Sequence, residues 1–285
     1  MFQRKRLPKT MKDKKITVTI GIPAFNEEAN IGKLLQSIFE QKKTFFNVKS
    51  VILVSDASTD KTVAKAKSFR NKKLKIIQNP SRKGQIYSQN LIFSLAKTDV
   101  VVILEADTIL AKKDYLKELI LPIYRKKSVC LVEGYHVPIH PCVLIEKVLF
   151  LQLRLDRKVL QEYKNHTNWI FAGRGGKAFS KNVYRYLVWP SNVPEDVYAH
   201  IWSQSNDIKI KFSKSALTYY RLPHSINDFV KERRKIESGR NTIKNYFPQK
   251  YVDEYYKRPA IIKYKWLFHM FLTDSIYCIV YLGLK

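Results

Sequence analysis

Acidic side chains recur in this sequence directly behind short apolar runs. Pro23-Ala24-Phe25-Asn26-Glu27-Glu28 follows ITVTIGI, Ser55-Asp56-Ala57-Ser58-Thr59-Asp60 follows a second such run, and Glu105-Ala106-Asp107 follows VVVIL. Asn79-Pro80-Ser81-Arg82-Lys83-Gly84 stands at the same place behind another. A single acid there is ordinary helix capping, and Asp60, which opens a helix, is read that way. Polar segments in register behind every strand ask for a different explanation. Glu105 and Asp107 present two carboxylates to one hard divalent cation. Mg2+ and Mn2+ favour oxygen ligands and share them with phosphate. The chemistry this suggests is the handling of a metal-bridged nucleotide diphosphate.

Such residues meet only if the elements between them are right. Residues 16–22 are short, β-branched and closed by Pro23, which reads as a buried strand; 48–54, 73–77 and 100–104 read likewise. Residues 29–41 carry apolar side chains at Ile31, Leu34, Leu35 and Ile38, a helical spacing. Residues 59–70, entered through Ser58 or Thr59, and 85–96 are the next helices. The alternation predicts an α/β fold: a Rossmann-like, mostly parallel sheet with flanking helices, whose ligands sit beyond the carboxyl ends of the strands. There is no GxGxxG behind the first strand and no GxxxxGK[ST], which argues against a dinucleotide fold or a P-loop NTPase.

Composition bounds the partners. The chain has 285 residues and a formal net charge of +28, which predicts an anionic partner: nucleic acid, acidic lipid or a phosphorylated substrate. Hydrophobic residues at 45% leave ample material for a core. Cys130, Cys142 and Cys278 have no metal-ligand spacing, so neither a disulfide scaffold nor a zinc module is expected, and a cytoplasmic setting fits.

Taken together, PAFNEE, VSDASTD, RKGQIYSQN and EAD, in this order, resemble the family 2 glycosyltransferases over roughly residues 17–239. The resemblance implies a GT-A fold and transfer of a sugar from a nucleotide-diphosphate donor, usually with inversion. It assigns Pro23, Ala24 and Glu28 to the nucleoside pocket and Asp56 to the base, with Ser55 in place of a second acid. Lys83 falls near the nucleotide. Glu105, Ala106 and Asp107 match a DxD motif whose first acid is Glu, with Asp107, helped by Glu105, binding Mg2+ or Mn2+. Gly173 and Arg174, in WIFAGRGG, fall beside donor and acceptor.

Val193-Pro194-Glu195-Asp196-Val197 resembles the family's ED motif, with Asp196 as the general base and Glu195 beside it. Aligned on Gly239, Glu232-Arg233-Arg234-Lys235-Ile236 falls where polymer-forming members carry QxxRW, so Arg233, Arg234 and Lys235 are candidates for the diphosphate or acceptor. The stacking Trp is absent, which argues against processive synthesis. His224, just after Pro223, reads as structural.

Two apolar stretches bear on location. Residues 142–155 read as a core or interfacial helix. Residues 266–284 approach a bilayer span in length but contain Asp274, so a helix in the membrane interface is favoured over a single span. The basic, aromatic stretch before it suits an anionic membrane surface. The expected organisation is a basic arm over 1–14, a catalytic domain over 15–245 and a membrane-associated helical extension over 246–285. The reading is a UDP-sugar-dependent transferase acting on a glycan or lipid-linked acceptor at the cytoplasmic face of a membrane. Its rivals are a catalytically inactive domain of the same fold and, less well supported, a nucleic-acid-binding protein.

Overall fold

The computed structural model describes residues 15–42, 44–163 and 175–284; the arm expected over 1–14 lies outside them. In chain order the elements are β1 (Ile16–Ala24), α1 (Ile31–Phe39), β2 (Phe46–Ser55), α2 (Thr62–Lys67), β3 (Leu74–Gln78), α3 (Gln85–Leu95) and β4 (Val100–Ile103). There follow β5 (Ile109–Leu110), α4 (Tyr115–Arg125), β6 (Val129–Pro138), α5 (Leu144–Tyr163), β7 (Lys177–Ser180) and α6 (Lys181–Tyr184). The chain ends in α7 (Glu195–Ser205), β8 (Lys209–Tyr220), α8 (Ile226–Ile243), α9 (Gln249–Tyr256) and α10 (Ala260–Gly283).

The strands form one sheet in the order β3-β2-β1-β4-β7-β6-β8-β5. β1 to β4 run parallel, as the alternation predicts; β7 enters antiparallel between β4 and β6, and β6 pairs parallel with β8. After β3 the chain returns to the other side of β1, so the strand order reverses between β1 and β4. A crevice opens at such a reversal, beyond the carboxyl ends of the two strands. PAFNEE and EAD flank that crevice.

Side-chain alternation along the strands divides the core. One face buries Val18, Ile20 and Ile22 under Leu34 and Leu35 of α1 and Leu116 and Leu119 of α4. The other buries Val54, Val101 and Ile103 under Ile92 of α3, Ala199 and Ile201 of α7 and Val252 of α9. A separate cluster joins Val148, Leu151 and Leu155 of α5 to Leu267, Met270 and Cys278 of α10.

The second helix is shorter than expected. Ser58 accepts the Asn26 amide and the Ser55 hydroxyl proton, and the Thr59 amide donates to Asn26, so neither residue caps it. Asp60 does, accepting the Thr62 amide at 2.9 Å. Asp274 departs from helical geometry inside α10 and pairs with Arg154 of α5 at 3.1 Å. An acid in that apolar segment is thus paired across the contact between α10 and α5.

Candidate active site

The loops behind β1 and β2 are knitted to each other. Besides the Asn26 bonds, the Glu27 amide donates to Thr62 Oγ1 at 2.7 Å and the Glu28 amide to Asp60 at 3.0 Å. Pro23 and Ala24 are buried at the end of β1, where the Ala24 carbonyl accepts the Asp56 amide. The Glu28 carboxylate accepts the Lys61 amide, so it helps to close α2.

Asp56 is buried at the carboxyl end of β2. One of its oxygens accepts from the Asn79 side chain and the Lys83 amide, and the other from the Gly84 amide, at 2.7–2.8 Å. Burial pushes its carboxyl up, but these bonds and the nearby Arg82 charge outweigh that and hold it below the ordinary value. An ionised carboxylate offers about four acceptor positions. Three are used to shape the loop before α3, which leaves one for a ligand. Gly84 makes that loop possible, since its φ of +91° belongs to glycine. The Arg82 guanidinium lies 3.9 Å from the centre of the Phe25 ring, forming a cation–aromatic wall beside Ala24. The Lys83 ammonium sits over Tyr87 at 5.6 Å.

Behind β4, the Leu104 amide bonds the Gly21 carbonyl, and buried Thr108 donates both its amide and its hydroxyl to the Glu105 carbonyl. The turn Glu105-Ala106-Asp107 is therefore fixed at the mouth of the crevice. Both carboxylates are half-buried and Ala106 is buried. Among the described residues no group of three or more His, Cys, Asp and Glu is placed to hold a metal. A pair of carboxylates still fits Mg2+ or Mn2+, which commonly take one or two protein carboxylates and complete their shell from phosphate and water.

Glu195 and Asp196 open α7, directly after Pro194. Asp196 Oδ1 accepts the Val197 amide at 2.8 Å. Glu195 accepts from Gln85 Nε2 at 2.8 Å, and its carbonyl accepts from the Trp189 indole. The first residue of α3 thus ties the loop shaped by Asp56 to the acid pair. Glu105 and the adjacent Glu195 and Asp196, far apart in the chain, all act with Glu133 on one buried ammonium, that of Lys177 in β7. Nothing in the sequence pattern singles out Lys177. Gln85, Thr108 and the Arg82–Phe25 wall are not singled out there either.

The expected basic cluster lies on α8. Arg233 and Arg234 are exposed, and Arg233 lies over the Phe229 ring at 5.9 Å. Gly239 is the point where α8 meets Pro194: a Cβ there would stand 3.1 Å from the proline ring. His224 pairs with Glu146 at 3.0 Å, a structural role as expected. Gly173, Arg174 and the Lys235 side chain lie outside the described residues.

The family model for glycosyl transferase family 2 matches residues 19–186. A 4,4'-diaponeurosporenoate glycosyltransferase from Staphylococcus aureus is 30% identical over 133 residues, which are 45% of this chain and 34% of that protein. The match thus spans about a third of the relative's length. Among solved structures, a mannosyltransferase from Pyrobaculum calidifontis, in complex with GDP-Man and Mn2+, shares the fold with a TM-score of 0.62 and 17% identity. That match covers 95% of this chain and 75% of that one. TarS from S. aureus, in complex with UDP-GlcNAc, gives 0.62 and 17% identity, covering 84% and 70%. The glucosyl-3-phosphoglycerate synthase of Mycobacterium tuberculosis, with Mn2+ and UDP-Glc, gives 0.58 and 16%, covering 83% of both chains.

Proposed function

Because this chain belongs to glycosyl transferase family 2, we propose that it moves a sugar from a UDP-sugar to a glycan or lipid-linked acceptor, with Asp196 as the general base. The acceptor oxygen attacks the anomeric carbon as the bond to the diphosphate oxygen breaks. The nucleotide leaves with that electron pair, and Asp196 takes the hydroxyl proton. Attack opposite the leaving group gives inversion, as the family resemblance implies.

The observation that carries this reading is that Glu105, just after β4, and Glu195 and Asp196, at the start of α7, all act on the ammonium of Lys177, the first residue of β7, next to the strand reversal. Asp56, Pro23 and Ala24, with the Arg82–Phe25 wall, form the nucleoside side. Asp107, with Glu105, would hold Mg2+ or Mn2+. When bound, the cation neutralises charge on the departing diphosphate. A uridine donor is supported by the UDP-sugars in the TarS and M. tuberculosis structures, whereas the P. calidifontis enzyme holds GDP-Man.

Calorimetric binding of UDP and GDP, with and without Mn2+, tests the donor site. Wild type is expected to bind UDP only with the metal, and Asp107→Ala to lose that binding. Binding of GDP instead would keep the reaction and change the donor. A folded wild type that binds neither would overturn the assignment of the strand-edge acids.

The membrane side of the reading rests on α10. Its Leu267, Met270 and Cys278 face α5, while Phe268, Leu272, Ile276 and Ile279 are exposed. The 249–283 segment is long and apolar enough to cross a membrane by length and composition. The arrangement of α10 against α5 favours a helix lying on an anionic surface.

A further inference from the structure

Lys177 is a lysine in the middle of a sheet. It stands directly opposite Ile103 of β4 and Glu133 of β6 in antiparallel register. Side chains directly opposite in such a ladder share one face of the sheet, with their Cβ atoms roughly 5 Å apart. That face is the one covered by α3 and α7. Lys177 and Glu133 are both buried there, at 7% and 2% exposure. Lone buried charges are strongly unfavourable, so each needs a counter-charge.

The backbone around the pair is locked. A Cβ on Gly134 would fall 2.0 Å from the Gly175 carbonyl oxygen, and one on Gly175 would fall 2.1 Å from that of Gly134. The Gly134 amide bonds the Gly176 carbonyl, and the buried Tyr115 hydroxyl bonds the Gly175 carbonyl. The residues flanking Glu133 and Lys177 thus fit only as glycines, and the two side chains emerge from a fixed crossing. Across the face, His200 Nδ1 lies 4.0 Å from Glu133 Oε1. His200 is one turn after Asp196 on α7, so the helix surface that carries His200 also carries Asp196.

We propose that Lys177 is a positioning residue of the transfer site, whose buried ammonium is the built-in counter-charge for Glu133 and seats the first turn of α7, which carries Glu195 and Asp196, over this face of the sheet. The groups facing Lys177 are Glu105 behind β4, Glu133 on β6, and Glu195 and Asp196 on α7. Tyr255 on α9 also faces Asp196 and Glu133. Burial works against the ammonium, yet the carboxylates hold it above the ordinary lysine value. This inference rests on the glycosyl-transfer reading for the role of Asp196, but not for the charge arrangement.

The test uses the full chain and the variants Lys177→Met and Lys177→Met/Glu133→Gln. Thermal unfolding is followed at pH 7.5 and pH 5, and release of UDP from a UDP-sugar is followed beside calorimetric UDP binding. Lys177→Met is expected to lose roughly twice as much Tm at pH 7.5 as at pH 5, since protonation relieves the uncompensated carboxylates. The double variant recovers much of that loss. Turnover in Lys177→Met falls roughly tenfold while UDP affinity is kept, and the double variant restores part of it. Equal Tm losses at both pH values with unchanged turnover would overturn the proposal and leave Lys177 as packing alone. Failure of both variants to fold at either pH would overturn it equally. The expected Tm pattern in a protein whose wild type turns over no donor would uphold the counter-charge and sink the transfer reading instead.

Discussion

Asp56 shows how one buried carboxylate organises a whole loop. Its oxygens collect the Asn79 amide and two backbone N–H groups, bonds that only a carboxylate accepts in full. Asn in its place would turn an NH2 group towards one of those donors. Hydrogen bonds to a charged group are worth roughly 1.5–3 kcal/mol each, so Asp56→Asn is expected to cost about 2–3 kcal/mol at pH 7. The sign with pH follows from the depressed carboxyl. Its stabilisation is complete above the unfolded carboxyl value of about 4 and is lost as the pH falls through the lower folded value. Urea unfolding should therefore show a wide gap between wild type and variant at pH 7 that narrows below about pH 4. A gap that stays constant to pH 2 would show that the charge is not what the loop uses. Asp56, Glu105, Asp107, Glu195 and Asp196 were legible because each stands at the end of an apolar run or behind a proline, where a carboxylate is conspicuous. Lys177 and Glu133 were not. Each sits inside a strand, and only the register of β7 between β4 and β6 makes them neighbours.

Among the elements, the first four strands and three helices were readable to within a few residues, because β-branched runs and the 3.6-residue period dominate there. β6 and β8 were missed. β8 opens on Lys209-Ile210-Lys211-Phe212, the period-two alternation of a half-buried strand, which was passed over, and it pairs with both β6 and the two-residue β5. What its residues do not carry is the identity of those partners, which lie at long sequence separation. The same separation lets α3 and α7 communicate. Gln85 opens α3 one residue beyond the loop that Asp56 shapes, and its side chain reaches Glu195 at the start of α7. This bond links the proposed nucleoside side of the crevice to the acid pair. Gln85→Leu removes it without touching Asp56, so nucleotide affinity should be preserved while kcat falls roughly tenfold through misplacement of the pair. Asp196→Asn, which removes the proposed base, should lower kcat by about 10²–10⁴. Steady-state kinetics beside UDP calorimetry separates the two. A Gln85→Leu protein that loses nucleotide binding and keeps kcat would place Gln85 on the donor instead.

At the scale of the molecule, a net charge of +28 and an exposed apolar stripe belong to the same problem. Phe268, Leu272, Ile276 and Ile279 recur at three- and four-residue spacing along α10, opposite the side chains that pack on α5. Water-facing apolar stripes of this length mark a docking surface. Two occupants compete: an acidic membrane, which the positive charge attracts, and a second copy of the chain, which that charge repels. The repulsion favours the membrane. Burying a Leu or Ile side chain contributes about 1.5–3 kcal/mol, so Leu272→Glu/Ile276→Glu should weaken binding to anionic vesicles at least about 100-fold in co-sedimentation. Raised salt should weaken the wild type as well, since screening removes the electrostatic share. An alkaline carbonate wash separates the two membrane modes, because a helix lying on the surface is released and a helix spanning the bilayer is retained. If the stripe instead joins two copies, vesicles will not sediment the protein, and the double variant will convert a dimer to a monomer in analytical ultracentrifugation. The Asp274–Arg154 pair on the α5 side of α10 adds its own constraint. Arg154→Ala leaves an acid without its cationic partner in an apolar helix, so in the surface mode it should loosen the packing of α10 on α5 and lower Tm while vesicle binding persists.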